Sequence, residues 1–140
     1  HQLLRSTSVH KPNLYEVIRS LPDFDSIVDE SVRFLACHSR IFIFSPGEMI
    51  LSDGEVPVSI HLLIRGTVLE TFTSTHNNFK HRPGSFMTAK RYLHPDSEAS
   101  YLIAKSSAYT ALFPADLLNR DDFPDDVREL LKTEPGVISE

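Results

Sequence analysis

Phe44-Ser45-Pro46-Gly47-Glu48-Met49-Ile50-Leu51-Ser52-Asp53-Gly54-Glu55, followed by Ile60-His61-Leu62-Leu63-Ile64-Arg65-Gly66-Thr67-Val68, is the stretch that decides the fold. Short apolar runs stop at glycine-bearing turns, too short for helices and spaced like strands. The pattern continues outward. Ile41–Phe44, Glu48–Leu51, Ser59–Ile64, Thr67–Thr73, Tyr101–Ala104 and Ala108–Phe113 are β-branched or aromatic runs. Ser45-Pro46-Gly47, Asp53-Gly54, Arg65-Gly66, Asn77-Asn78, Pro83-Gly84 and Pro95-Asp96 separate them. Such spacing predicts a closed or sandwiched antiparallel sheet. Tyr109, Ala111 and Phe113 alternate with Ala108, Thr110 and Leu112, the period of a half-buried strand.

Helical signals flank this core. Leu14, Val17, Ile18 and Leu21 share one helical face, as do Phe24, Ile27, Val28, Val32 and Leu35. Pro22-Asp23 divides them, with Asp23 or Asp25 expected to cap the second helix. After the last strand, Pro114–Leu118 reads as a turn of helix. Asp122 is the expected cap of a helix opening near Pro124 and carrying Val127, Leu130 and Leu131. Asp125 and Asp126 fall in its first turn, where they favour the dipole. Residues 1–13 read as a polar leader, 14–131 as the domain and 132–140 as a tail.

Composition narrows the function. At 140 residues the chain holds one domain, and no apolar run approaches the roughly 20 residues of a membrane span. Residues 1–113 carry 11 basic and 11 acidic side chains, so the net charge of −5 sits in the segment from 114 onward. A neutral body with an acidic end lacks the basic face that nucleic-acid binding requires. The single cysteine, Cys37, excludes an intramolecular disulfide and fits a reducing compartment; it reads as a small buried apolar residue. The sequence opens at His1 without a basic-then-apolar leader, which suggests no secretory signal and a segment of a longer protein.

Chemistry-bearing motifs are sparse. His76 and His81 flank Asn77-Asn78 and could meet across a hairpin, with His94 a third metal-ligand candidate. No H-x-H pair accompanies them, so a metal-dependent β-roll enzyme of the cupin kind is an unfavoured alternative. Cys37 and His38 are adjacent, and neighbouring helical positions point about 100° apart, poorly placed to chelate one ion. No G-x-S-x-G elbow, P-loop or C-x-x-C is present. Arg5-Ser6-Thr7-Ser8 is a short candidate for a basic-directed kinase.

The order of two helices, a strand set and helices resembles the cyclic-nucleotide-binding domain. The stretch from Phe44 to Glu55 looks like that family's "F-x-x-G-E-x-I-x-x-x-G-D/E", and Ile60–Val68 resembles its "Y-x-I-x-x-G-x-V" strand pair. Leu21-Pro22-Asp23-Phe24 is similar to its "L-x-x-F", Leu35-Ala36 to the "L-A" ending the next helix, and Leu102–Ser106 with Tyr109–Phe113 to its last two strands. The resemblance implies an α+β domain: an eight-stranded, jelly-roll-like antiparallel β-roll with N- and C-terminal helices, over residues 14–131.

In that family a cassette "G-D-x-F-G-E-x-x-L-(loop)-R-A-T" supplies an arginine and helix-start amides to the phosphate, and a glutamate to the ribose hydroxyl. The corresponding segment here runs from Gly84 through Ser85, Phe86 and Met87 to Ser100. Thr88 falls at the second glycine, Ala89 at the glutamate and Ala99 at the arginine. Both recognition side chains are thus replaced. A buried phosphate without its charged partner loses about 3–5 kcal/mol, more than a hundredfold in affinity. The expectation is a non-catalytic regulatory module that has lost the usual ligand and has no cofactor. Cyclic AMP or cyclic GMP is disfavoured. The alternative is a true sensor in which Arg91 or Lys90 supplies the charge and Glu98 meets a hydroxyl. A third possibility fills the roll with its own Phe86 or Tyr92. By the resemblance, the module acts in the cytoplasm within a larger protein, a channel or transporter tail, contacting the rest of that protein, a neighbouring subunit or another protein.

Overall fold

The computed structural model describes the backbone of residues 2–3 and all of residues 13–133. The candidate kinase site at Arg5–Ser8 lies outside the described residues. In chain order the elements are β1 (Gln2–Leu3), α1 (Leu14–Arg19), α2 (Asp29–His38), β2 (Arg40–Phe44), β3 (Met49–Leu51), β4 (Ser59–Arg65) and β5 (Val68–Phe72). Then come β6 (Asn78–His81), α3 (Ala89–Leu93), β7 (Ser100–Ala104), β8 (Ala108–Pro114), a 3-10 turn (Ala115–Asn119) and α4 (Asp125–Lys132).

Two four-stranded antiparallel sheets, β1-β2-β8-β4 and β3-β7-β5-β6, face each other as a roll. All six expected strand runs form, each within a residue or so of its expected ends. Asn78–His81, expected to begin as a turn, is a further strand, paired with β5 from Val68↔His81 to Thr71↔Asn78. Residues 14–131 therefore hold seven strands rather than eight. The remaining short one, Gln2–Leu3, comes from the segment read as leader and pairs with β2.

Strands β4 and β8 of the first sheet are largely buried on both faces. Ile60 and Leu62 of β4 and Ala111 and Phe113 of β8 pack into a cluster with the helices. Their alternates Leu63 and Ala108 point into the roll, against Phe44, Leu51, Val68, Met87, Leu102 and Ala104. The expected half-buried alternation of β8 thus gives way to burial of every residue from Ala108 to Phe113 except Tyr109, because β8 is the central partner of both β2 and β4.

Helix α2 starts later than expected. From Leu21 the chain makes successive tight turns (Phe24 N–H to Leu21 O, Ile27 N–H to Phe24 O), with Asp23 at φ 70°. The Arg19 guanidinium fixes them, donating to Phe24 O, to Ile27 O at 2.7 Å and to Asp29 Oδ1 at 2.8 Å. Neither Asp23 nor Asp25 caps α2. Its open N-terminus is instead satisfied from afar: Val28 N–H donates to Asp126 Oδ2 at 3.0 Å and Ser31 Oγ to Asp126 Oδ1 at 2.7 Å. Asp122 does not cap α4 either; it pairs with Arg120 at 2.8 Å, and Pro124 begins the helix. Val127 and Leu131 are buried as expected, with Leu130 partly so. Cys37 is exposed, not buried, because it faces away from the Val32–Leu35 side of α2. Among the described residues, no helix is long and apolar enough to cross a membrane.

Two glycines carry close approaches. A Cβ on Gly66 (φ +99°) would lie 2.2 Å from Ser107 O, where the β4–β5 and β7–β8 turns meet. One on Gly84 (φ +104°) would lie 3.0 Å from Pro22 O, where the cassette abuts the α1–α2 turns.

Candidate functional site

The cassette is sewn onto the edge of β4. Gly84 N–H donates to Leu63 O at 2.8 Å, Leu63 N–H to Ser85 O at 2.8 Å, and Met87 N–H to His61 O at 2.9 Å. Phe86 bridges Leu62 and is fully buried on the helix side, near Phe24. It therefore fills the core behind the sheet. Tyr92 is only half-buried and accepts from Asn119. Met87 alone of the cassette packs into the roll, within the Leu63–Leu102 cluster.

At the second-glycine position, Thr88 is 1% exposed. Its Oγ1 donates to Ser59 O at 3.0 Å and accepts from His61 N–H at 3.2 Å. Ala89 is buried among the helices. Glu98 and Ala99 are exposed on the loop before β7; Glu98 accepts from Ser74 Oγ at 2.7 Å, and the Ala99 carbonyl accepts from Thr73 N–H. Loop residues Glu98 and Ala99 are thus kept out of the buried interior that holds Thr88 and Arg91.

Arg91 points inward and is 7% exposed. Its Nη1 donates to Glu55 O at 2.8 Å and Ser52 O at 3.4 Å; its Nη2 donates to Ser100 O at 2.5 Å and Ser100 Oγ at 3.0 Å. Ser100 Oγ in turn donates to Glu70 Oε2 at 2.5 Å. His81 Nε2 donates to Glu70 Oε1 at 2.8 Å, and His81 Nδ1 lies 2.7 Å from Ser85 Oγ. His81, Glu70, Ser100 and Arg91 form one buried polar chain spanning β5, β6, β7 and α3, with half-buried Ser85 at its end. Burial pushes the Glu70 carboxyl up, but the bonds from His81 and Ser100, with the charges of His81 and Lys90, outweigh it and hold the group below its ordinary range. The guanidinium is committed to carbonyls and a hydroxyl, and the neighbouring Lys90 ammonium sits 5.1 Å from the Phe72 ring centroid.

Sequence reasoning named Ser85, Arg91 and Ser100 but missed Glu70, the acidic hub that joins them. An acidic residue inside the strand run Thr67–Thr73 was the available signal. His76 and His81, proposed to face each other, do not. His76 is exposed at φ 62° in the hairpin turn, whereas His81 is buried against Glu70. No group of three or more His, Cys, Asp or Glu among the described residues could hold a metal ion.

Beside the polar chain, the mouth of the roll holds a cavity of about 350 Å³ bounded by Phe42, Phe44, Ile50, Pro57, His61 and Thr88. His61 is buried, with its ring against Phe42 and Phe44 (centroids 6.0 and 5.4 Å) and its Nδ1 2.9 Å from Thr110 Oγ1. Loss of hydration pushes its pKa down to about 4, so the ring is neutral at pH 7.

No protein-family model matches the sequence, and no curated protein matches it. Solved structures do. The regulatory domain of Toxoplasma gondii PKA with cAMP aligns with a TM-score of 0.70 at 17% identity, covering 85% of this chain and 47% of that one. The regulatory subunit of a cAMP-independent protein kinase A from Trypanosoma brucei gives 0.67 at 17% identity, covering 87% and 47%. A triple mutant of that subunit, one of whose changes introduces an arginine, is bound to cAMP in its A site. A cyclic nucleotide-binding domain from Methylobacillus flagellatus gives 0.64 at 16% identity, covering 86% and 73%. The chain spans about half the length of the two kinase regulatory chains. Facing antiparallel sheets, a short helix between β6 and β7, and helices packed on one sheet give this chain the fold of cyclic-nucleotide-binding domains.

Proposed function

We propose that this chain is a non-catalytic regulatory module whose nucleotide cassette has become structural, so that it acts through contacts rather than through cyclic AMP or cyclic GMP. The observation that carries this is the engagement of Arg91. A phosphate-binding arginine must offer unpaired N–H groups to the ligand. Here Nη1 and Nη2 are both spent on Glu55 O, Ser52 O and the two oxygens of Ser100. Releasing them would leave the buried Ser100 carbonyl and hydroxyl oxygens, and the part-buried Ser52 and Glu55 carbonyls, without this donor. Ala89 and Ala99 bring no replacement charge. The cAMP-independent Trypanosoma brucei subunit supports the reading: the same fold serves a kinase regulatory chain described as independent of the nucleotide.

The module serves a larger protein, which the sequence resemblance suggests is a channel or transporter. Calorimetric titration with cyclic AMP and cyclic GMP at low salt tests the nucleotide part of the proposal. No saturable heat up to millimolar ligand is expected, for the wild type or for Ala99→Arg. A micromolar midpoint for the wild type overturns it.

A further inference from the structure

Five large apolar side chains are exposed among the described residues, and three of them, Met49, Val56 and Val58, gather at one place. Val56 and Val58 flank buried Pro57 on the segment leading into β4, and Val58 is 83% exposed. Met49, Pro57 and Val58 border the same cavity at the mouth of the roll. The backbone that presents the two valines is held at both ends. Glu55 O accepts from Arg91 Nη1 at 2.8 Å, and Val58 O accepts from Ala115 N–H at 2.9 Å. An apolar knob fixed in this way loses little conformational freedom when it is covered, which suits it to an interaction surface.

The charges around the knob point to what covers it. Val58 stands on the wall between two hollows. One carries Glu55, with exposed Asp53 in the same turn. The other carries His38 and exposed Arg40, where α2 passes into β2. Acid therefore lies to one side of Val58 and base to the other. A two-fold axis through Val58 exchanges the two sides, so the patch is complementary to itself. A patch ringed by one sign of charge would instead repel its own copy.

We infer that the occupant of this patch is a second copy of the chain. Val58 packs on Val58 across a two-fold axis, with Met49 and Val56 beside it, and Arg40 of each copy faces Asp53 and Glu55 of the other. The inference rests on the reading of this chain as a module that acts through contacts, and it makes the partner a like subunit. The patch is small, so the dimer belongs with weak, transient contacts, which bury less than about 1,200 Å².

Sedimentation velocity at pH 7 and low salt, from about 5 to 500 µM chain, reads the dimer. The weight-average mass is expected to rise from that of one chain toward that of two. Val58→Asp puts a charge at the centre of the contact and is expected to weaken association at least tenfold. Arg40→Glu sets like charges against each other at both symmetry-related edges and is expected to weaken it about tenfold; Asp53→Arg added to it restores most of the loss. All three positions are exposed, so the fold is expected to be unchanged by circular dichroism. In a Cys37→Ser chain, Val58→Cys is expected to give a disulfide-linked dimer on mild oxidation, whereas Val28→Cys, at the far end of α2, is not. A single species of one chain up to 500 µM overturns the inference and assigns the patch to an unlike partner. Association unchanged in Val58→Asp, or a loss in Arg40→Glu that Asp53→Arg leaves uncorrected, overturns it as well. The nucleotide titration above stands apart from this test. A chain that binds cyclic nucleotide and still dimerises through Val58 overturns the regulatory reading and leaves the dimer, and a monomer that ignores the nucleotide does the reverse.

Discussion

Arg91→Ala separates a structural arginine from a ligand-binding one. In the folded chain the guanidinium bonds four oxygens, two of them on Ser100, which also serves the Glu70 carboxylate. Truncation removes these donors and leaves Glu70 without the cation that shares Ser100. Breaking one side of a buried charged network costs about 3–5 kcal/mol. The loss of several charge-assisted hydrogen bonds, about 1.5–3 kcal/mol each before relaxation, agrees in scale. Taking about 4 kcal/mol and the unfolding entropy of a domain this size, Tm falls by about 10–15 °C. A domain normally holds about 5–15 kcal/mol, so the variant still folds at low temperature. Scanning calorimetry at pH 7 on wild type, Arg91→Ala and Arg91→Lys measures the effect, and Arg91→Lys is expected to fall between the others because an ammonium cannot span both sets of acceptors. An arginine waiting for a phosphate makes few bonds in the free protein, and its removal would barely move Tm. A fall of less than about 3 °C for Arg91→Ala, below what one kcal/mol produces, refutes the structural assignment.

Acid should destabilise the fold in two windows. His61 titrates near 4 in the native state against 6.5 when unfolded, so the unfolded chain takes the proton first. About 3 kcal/mol is then lost as pH falls from 6.5 to 4, seen as a falling urea midpoint that His61→Phe flattens. Glu70 is depressed by its donors; its contribution, present above the unfolded carboxyl range, disappears only as pH falls through its lower native value, and Glu70→Gln removes that lower step. Gly66→Ala drives a Cβ onto Ser107 O and should cost at least about 3 kcal/mol by urea denaturation, whereas Gly54→Ala, with open space around it, should cost only the positive-φ strain of about 1–2 kcal/mol. Asp126→Ala strips the acceptor from Val28 N–H and Ser31 Oγ, with an expected loss of about 1–2 kcal/mol and faster hydrogen exchange at the Val28 amide.

The elements written in local pattern were legible. Ile41–Phe44, Ser59–Ile64 and Ala108–Phe113 read as strands because β-branched and aromatic residues sit between turn glycines, and α4 because Val127 and Leu131 fall one turn apart. Strand β6 was missed because Asn-Phe-Lys-His has no apolar period; its place is set by pairing with β5. The start of α2 was missed because Phe24 and Ile27 mimic a helical face while being held by the distant guanidinium of Arg19. The polar chain was least legible. Glu70, His81, Arg91 and Ser100 are separated by 9 to 30 residues, and each alone looks like a surface residue. Only the closing of the roll brings them together, and only mutual bonding makes their burial tolerable.

Under the proposed structural role, the bonding of Arg91 also sets how readily a nucleotide site could be built here. A cassette that had merely dropped its contacts could recover them with one well-placed substitution. Here the guanidinium braces the Ser52–Glu55 loop and β7 together, and the Ser100 hydroxyl that it bonds donates to Glu70. A returning arginine at Ala99 would add a second cation near a site already balanced, while removing Arg91 first would pass through a much weakened fold. On the proposed reading the polar chain therefore resists conversion to a nucleotide site by any single substitution.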